Sequence, residues 1–536
     1  MWRWLIAAVG LWAVAAVAQA APGLADLVEA GQDAAALTMV ASGANVNATQ
    51  GDGGTALGWA VFRLDVPLAK ALLRHGADPD LANDFGSTPL AEAVETANVP
   101  LVKMLIRAGA NVNEANADGE TPLMLAAHTG AVKIAKLLVR HGANVNTRER
   151  WRDQTALMWA VAQGQARMTA YLVSRGAEVN VRSISNDWMD KAAQITSEPR
   201  AQYRPAGGLT PLLYAVRAGC LDCVKALLEG GAKIDMPTPL GVTPLIAAID
   251  NFQFDIAKYL LERGANPQVW DWWGRTPLYV AVDMHTFRPR LGAPQAGGAG
   301  RTTAMDIVNL LLADGVDPNA QLDMHRPGRG ADSGRFADFM LTTGTTALLR
   351  AAISHDNVVI EALLAHGARV DLPTVQGVTP LMAAAGMGCK SGPEHLVSDL
   401  RGDYSGDVQS RAIGTIALLM RAGADINAQV TDTTSYTARV LRGGTLTNRQ
   451  GQTALYGAIQ WGWPKVVRYL IDHGAVVDMK DDRGRSPLEA ATKGVGLKGF
   501  HENESIVALL TQAGIGRKAL TSAAGAPPRL IQAAVR

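Results

Sequence analysis

A motif of the form Gly-x-Thr-(Pro or Ala)-Leu returns along this chain, with its hydroxyl residue at Thr55, Thr88, Thr121, Thr155, Thr210, Thr243, Thr276, Thr346, Thr379, Thr453 and Ser486. Asp153 replaces the leading glycine once. The steps from Thr55 to Thr88, Thr88 to Thr121, Thr210 to Thr243 and Thr453 to Ser486 are all 33 residues. A second landmark, Gly-Ala, follows 21 residues after the hydroxyl, as at Gly76, Gly142, Gly231, Gly264, Gly367 and Gly474. One hydrophobic core does not organise 536 residues, and a fixed period of this length points to stacked small units.

Each part of the period has a physical reason. The Thr hydroxyl can accept a bond from amides left unpaired at a helix start, and proline at the next position lacks a donor that would be orphaned anyway. In the copy at Thr121, Leu123, Ala126 and Ala127 make one short apolar face, and Thr129-Gly130 breaks the chain. Val132, Ala135, Leu137 and Leu138 then make a second helical face. Gly142 is placed for a left-handed helix end, with Arg140 and His141 at the negative end of the dipole. Asn144-Val145-Asn146 leads toward a turn before the next Thr. One such unit cannot bury its faces alone, and stacking gives a continuous core.

The pattern resembles the ankyrin repeat from Leu24 to about Gly514. The resemblance implies an all-α ankyrin-repeat solenoid of about 12 helix-turn-helix repeats with β-hairpin loops, and it implies protein recognition. The family's Thr-Pro-Leu-His ends here in Met124, Leu213, Ile246, Tyr279 or Met382. Hydrogen bonds made by that His between neighbours are therefore expected to be missing, leaving softer interfaces.

The first twenty residues read as a cleaved leader: Arg3, an apolar run over 5–17, and Ala18-Gln19-Ala20 as a small-x-small cleavage signal. That run is too short to span a bilayer, and no Cys follows the cleavage point for a lipid anchor. Counting 33 back from Thr55 reaches Pro22, so the first repeat is expected to begin just after Ala20. The expectation is a soluble mature protein, periplasmic or secreted. Lys plus Arg is 50 against 49 for Asp plus Glu, which argues against a nucleic-acid partner gripped along the chain's length.

The organisation expected is a leader over 1–20, a capping repeat over 21–52, regular repeats over 53–182 and a hairpin insertion over 183–207. Repeats follow over 208–284, repeats with long insertions over 285–452, closing repeats and a cap over 453–516, and a tail over 517–536. The step from Thr155 to Thr210 carries 22 extra residues, from Thr276 to Thr346 it carries 37, and from Thr379 to Thr453 it carries 41. The second and third are each split between an interhelix segment (about 285–301 and 387–410) and a hairpin (about 321–343 and 430–447).

Loop growth is entropically cheap and can be ornament. In the ankyrin family, however, hairpins and inner helices form the concave binding face, so lengthened hairpins imply a wall there. Arg326, Arg335 and Phe336 in one insertion, and Tyr436 and Arg439 in another, are residue types that anchor binding hot spots. Trp270, Trp272 and Trp273 occupy a normal-length hairpin and can either pack on a long neighbouring loop or meet a ligand.

Other chemistry is thinner. Gly494-Val495-Gly496-Leu497-Lys498-Gly499 fits the dinucleotide fingerprint without a preceding strand, so no cofactor is expected. Asp283-Met284-His285 and Asp323-Met324-His325 could supply copper ligands outside the cytoplasm, but capping and loop packing use the same residue types. Cys220 and Cys223 form Cys-x-x-Cys at a helix start without a βαβ context. A structural disulfide between them is expected in an oxidising compartment, with two small, partly buried thiols as the alternative. Cys389 falls in an insertion.

The sequence thus points to a non-enzymatic scaffold for a partner protein, an exported envelope or redox enzyme among the candidates. A metal-binding or enzymatic site built from insertions between 285 and 442, and a secreted effector acting on host proteins, are the alternatives.

Overall fold

A computed structural model describes residues 22–186, 206–286, 302–323, 343–387, 407–432, 449–493 and 503–524. The chain divides into two compact units, Met1–Glu178 and Val179–Arg536. Both are built from pairs of short helices. The first unit holds Leu24–Glu29 with Asp33–Ala41, Ala56–Phe62 with Val66–Arg74, Pro89–Glu95 with Val99–Arg107, Pro122–Thr129 with Val132–Arg140, and Ala156–Ala162 with Ala166–Ser174. The second holds Pro211–Arg217 with Leu221–Glu229, Pro244–Asp250 with Phe254–Glu262, Pro277–Thr286 with Ala304–Ala313, and Ala347–Ile353 with Asn357–Ala365. It continues with Pro380–Ala384 and Val408–Arg421, Ala454–Gln460 and Pro464–Asp472, and Pro487–Lys493 and Glu504–Ala524. Among the described residues the only paired strands are Ser185–Asn186 and Ala206–Gly207, so the all-α stack read from the sequence is the fold observed.

The motif threonines start the first helices as expected. Thr55 Oγ1 accepts the amide of Gly58 at 2.9 Å, and Thr346 Oγ1 that of Leu349 at 3.1 Å. Nine residues after the hydroxyl the chain turns left-handed before the second helix begins. Gly130 and Gly219 sit there at φ 69° and 68°, but Leu64, Phe252 and His355 adopt the same conformation at 59°, 59° and 52°. For side chains of that size the conformation is strained, and the packed helices on either side hold it. Asp153, in place of the leading glycine, keeps the glycine's conformation at φ 56°, which a short polar side chain tolerates.

The core of each unit, taken by itself, is a column. Leu72, Leu105, Leu138 and Leu172 in the first unit are fully buried, as are Leu227, Leu260, Leu311, Leu363, Leu419 and Leu470 in the second. Leu137, grouped with Leu138 in the sequence, is only half-buried. First helices pack on the first helices of neighbouring pairs, as Pro122–Thr129 does on Ala156–Ala162.

A ladder of asparagines runs beside this column. Asn113 Nδ2 donates to the carbonyl of Gly142 at 3.0 Å, while its Oδ1 accepts the amide of Asn144 at 2.8 Å. Asn47, Asn146, Asn180, Asn319 and Asn427 repeat both bonds with the next copy. Asp80 and Asp235 stand on the same rung and keep only the accepting half, from the amides of Asn111 and Asn266. The interfaces are therefore not bare of hydrogen bonds where the family's His is missing. At the His position Met124, Leu213, Ile246, Tyr279 and Met382 are buried, and Tyr456 places its hydroxyl 2.8 Å from the Met479 carbonyl and 2.6 Å from that of Arg485.

Hairpin tips add a third contact between neighbours. The Asp84 amide donates to the Asp52 carbonyl at 2.9 Å, and the Val375 amide to the Thr343 carbonyl at 2.9 Å. Such approaches need glycine: a Cβ on Gly86, at φ 76°, would lie 2.9 Å from the Ala117 amide nitrogen.

The insertions leave this frame intact. Leu322 and Asp323 belong to the hairpin itself: Leu322 is buried, its amide donates to the Thr345 carbonyl, and the Thr343 hydroxyl donates to the Asp323 carbonyl at 3.0 Å. Val430 is likewise buried, with its amide on the Gln452 carbonyl. Ser183 donates its amide to Leu209. Backbone pairing thus closes beneath each hairpin insertion, and in the first it continues through Ser185–Asn186 against Ala206–Gly207. The interhelix boundaries shift. The helix Pro277–Thr286 contains His285, and Met387 is buried with its amide on the Met382 carbonyl.

Candidate binding surface

The hairpin Trp270 to Arg275 sorts its three indoles. Trp270 and Trp272 are 64% and 48% exposed, whereas Trp273 is 8% exposed with the Arg275 guanidinium 5.1 Å from its ring centroid. Asp271 makes the hairpin rigid. Its Oδ1 accepts the amides of Trp273 and Arg275 at 3.1 and 3.0 Å, and its Oδ2 accepts Arg275 Nε at 2.7 Å. Arg275 Nη1 reaches back to Asp250 at 3.4 Å. Burial pushes the Asp271 carboxyl up, against the pull of the Arg275 charge. Burial disfavours the Arg275 charge too, but Asp250 and Asp271 outweigh it and raise that group.

The same Asp-x-x-Gly-Arg spacing recurs at Asp481 and Arg485. There Asp481 accepts the Arg483 and Arg485 amides and the Arg485 guanidinium. Sequence reasoning did not find this clamp, although the repeated spacing is a signal that could have shown it. The neighbouring tryptophans are the more conspicuous residues.

The first Asp-Met-His triplet is divided among separate partners. Asp283 is buried and accepts Arg350 Nε at 2.8 Å, and Arg350 also donates to Ser354 Oγ at 2.5 Å. Met284 is buried, and His285 Nδ1 lies 2.5 Å from Asp356 Oδ2. Among the described residues no group of three His, Cys, Asp or Glu gathers as metal ligands do. The arrangement fixes helices to one another. His355, next to Asp356 in sequence, has a buried Nδ1 without a hydrogen-bond partner, and its ring stands 6.3 Å from that of Trp463.

The pair Cys220 and Cys223 is bonded at the start of Leu221–Glu229. Arg326, Arg335, Phe336, Tyr436 and Arg439 lie outside the described residues, as do Met324, His325, Cys389, the glycine-rich stretch 494–499 and the leader.

The family model described as ankyrin repeats (3 copies) matches residues 24–116, 97–183, 191–271, 212–288, 298–404 and 408–519. The chain belongs to the ankyrin-repeat family. Ankyrin repeats indicate a protein-protein interaction scaffold, and on its surface here Trp270 and Trp272 are exposed while Trp273 is buried. The Caenorhabditis elegans "Ankyrin repeat and KH domain-containing protein mask-1" is 31% identical over 167 residues. That stretch is 28% of this ankyrin-repeat chain and 6% of the relative, so the chain spans a small part of the curated protein it matches. No helix among the described residues of this ankyrin-repeat protein is long and apolar enough to cross a membrane.

Proposed function

We propose that this chain is an exported, non-enzymatic ankyrin scaffold whose second unit grips a partner protein through its hairpins, with an exported envelope or redox enzyme as the class of partner. The observation that carries the reading is the pair of exposed indoles at Trp270 and Trp272, presented on a hairpin stiffened by Asp271 and Arg275. Large aromatic side chains that face solvent on a rigid support lose little entropy on binding. The long hairpin insertions, with Arg326, Arg335, Phe336, Tyr436 and Arg439, extend the same surface in this reading.

Export rests on the apolar run 5–17 and on Ala18-Gln19-Ala20. N-terminal sequencing of the mature protein should begin at Ala21, and a retained Met1 would remove export from the reading. For binding, the tagged full-length protein is used to capture its partner from the native envelope, and affinity is measured by calorimetry. Replacing Trp270 and Trp272 with Ala should weaken binding by about 2 kcal/mol or more without lowering the unfolding midpoint. Unchanged affinity in the folded double variant would move the site off this hairpin.

A further inference from the structure

The start of the helix Leu221–Glu229 carries two sulfurs that the scaffold reading does not use, and their chemistry stands independently of it. Cys220 is the N-cap of this nine-residue helix, and Cys223 is its third residue. Other copies of the repeat show what the two places are for. At the position of Cys220 stand Asp65, Asn98 and Asp356, whose side-chain oxygens accept the third helical amide, from Leu68 at 2.9 Å, Leu101 at 3.1 Å and Val359 at 3.3 Å. Cys220 does the same with sulfur, its Sγ accepting the Cys223 amide at 3.2 Å. The third helical place is a core place: Leu68, Leu101, Val359 and Cys223 are all buried. Cys220 is only half-buried.

This placement gives the pair two properties. Only Cys220 can be reached by another molecule, and its sulfur occupies a cap where two other copies place a carboxylate, Asp65 and Asp356. In others Ala131, Gln165, Gln253 and Trp463 stand there without a side-chain cap bond. A helix N-terminus that holds Asp65 and Asp356 also favours a thiolate, which is the reactive form of cysteine. A staple has little to do here. The bond joins residues three apart, which one turn of helix already holds together, so it closes a very short loop and removes little entropy from the unfolded chain.

We propose that Cys220–Cys223 is a thiol–disulfide exchange site whose substrate is a protein dithiol, entered through Cys220. A thiolate of the dithiol attacks Cys220 Sγ. A new S–S bond forms to Cys220, the Cys220–Cys223 bond breaks, and its electron pair leaves on Cys223, which takes up a proton. The second thiol of the substrate, once deprotonated, attacks its own first sulfur and breaks the mixed disulfide. Cys220 leaves as a thiolate held by the Cys223 amide. The dithiol has lost two electrons and become a disulfide, and the cysteine pair has gained them. Counted from the dithiol with both thiols protonated, one proton has passed to Cys223 and one to solvent. A disulfide donor returns the pair to the bonded state by the reverse steps. Stabilising the reduced form at the cap makes the pair an oxidant of thiols.

The full-length protein is equilibrated with mixtures of reduced and oxidised dithiothreitol, quenched in acid, unfolded and alkylated, and Cys220 and Cys223 are read by mass. The pair should open and close reversibly while the helical circular dichroism stays unchanged. A pair that never forms in oxidised buffer, or opens only on unfolding, overturns the proposal. Reactivity is then compared in a Cys389→Ser background. With Cys223→Ser, Cys220 should form a mixed disulfide with oxidised glutathione, at least about tenfold faster than Cys223 does in Cys220→Ser, and with a pH midpoint below that of the unfolded chain. Equal rates, or a midpoint at the unfolded value, overturn the assignment of Cys220 as the entry sulfur. Should either variant fail to fold, the equilibrium of the unaltered pair decides alone.

Discussion

Asn319 donates its side-chain amide to the carbonyl of Gly367 at 3.0 Å, across 48 residues of sequence that include a hairpin insertion. In the first unit the same bond, from Asn113 to Gly142, spans 29 residues. Neighbouring copies therefore meet in one geometry whether or not an insertion lies between them. Deleting 324–342 or 433–448, inside the hairpin pairing, should leave helical ellipticity and the thermal midpoint near those of the parent. If partner affinity falls in the same proteins, the insertions bind. Collapse of the helical signal would show that the insertions hold the stack together.

The two halves of an asparagine rung separate by substitution. Asn319→Asp keeps the oxygen that accepts the Arg369 amide and loses the donor to Gly367, leaving what Asp80 and Asp235 already have. It should cost roughly 1 kcal/mol, and Asn319→Ala somewhat more, by urea midpoints. Equal midpoints for all three proteins would mean that water replaces the rung without loss.

Arg275 is buried between Asp250 and Asp271. Arg275→Met leaves a buried carboxylate without its cation, a change expected to cost about 3–5 kcal/mol. Adding Asp271→Asn should return part of that loss in a double-mutant cycle. Full additivity of the two costs would mean that they do not act as a pair.

Burial, and then the charge of Arg411, press His355 from 6.5 down to about 4. With the folded value below the unfolded one, the unfolded chain binds the proton first. This contribution is complete above the unfolded value, and stability falls as pH drops from 6.5 toward 4, below which both states are protonated. Part of the residue reaches solvent, so the span is on the order of 1–3 kcal/mol. His355→Asn suits the left-handed backbone and should flatten that slope in urea midpoints measured across the window. An identical slope in both proteins would assign the acid sensitivity elsewhere.

Leu138 is fully buried in the leucine column. Leu138→Ala should cost about 2–5 kcal/mol. Because each copy touches only its neighbours, unfolding should split into steps, visible in calorimetry, and not move as one block. A single transition shifted intact would count against local behaviour.

Almost all of the fold was legible because the period fixes helix starts, turns and core positions together. Thr121, Gly130 and Gly142 each announce one backbone requirement. The rungs were harder to read. Asn146 was visible as part of a turn, but its partner Gly176 belongs to the next copy, and nothing local in a sequence says that a side chain reaches across a stack. For the same reason the departure from His suggested soft interfaces, although asparagines elsewhere in the period carry hydrogen bonds between copies. At the candidate surface, residue type alone could not separate Trp272 from Trp273. Their burial follows from alternate orientation on the hairpin and from Arg275 beneath one of them.

The bond from the Thr343 hydroxyl to the Asp323 carbonyl brings the two ends of an insertion together at its base. Such a closed neck is a splice point. A foreign domain whose own termini lie side by side could be grafted there without the helices on either side registering its presence. Natural sequence could exploit the same port. Lengthening by duplication or drift at this neck would be tested for what it grips rather than for whether the protein still folds, so recognition can diversify while the stack stays under separate selection.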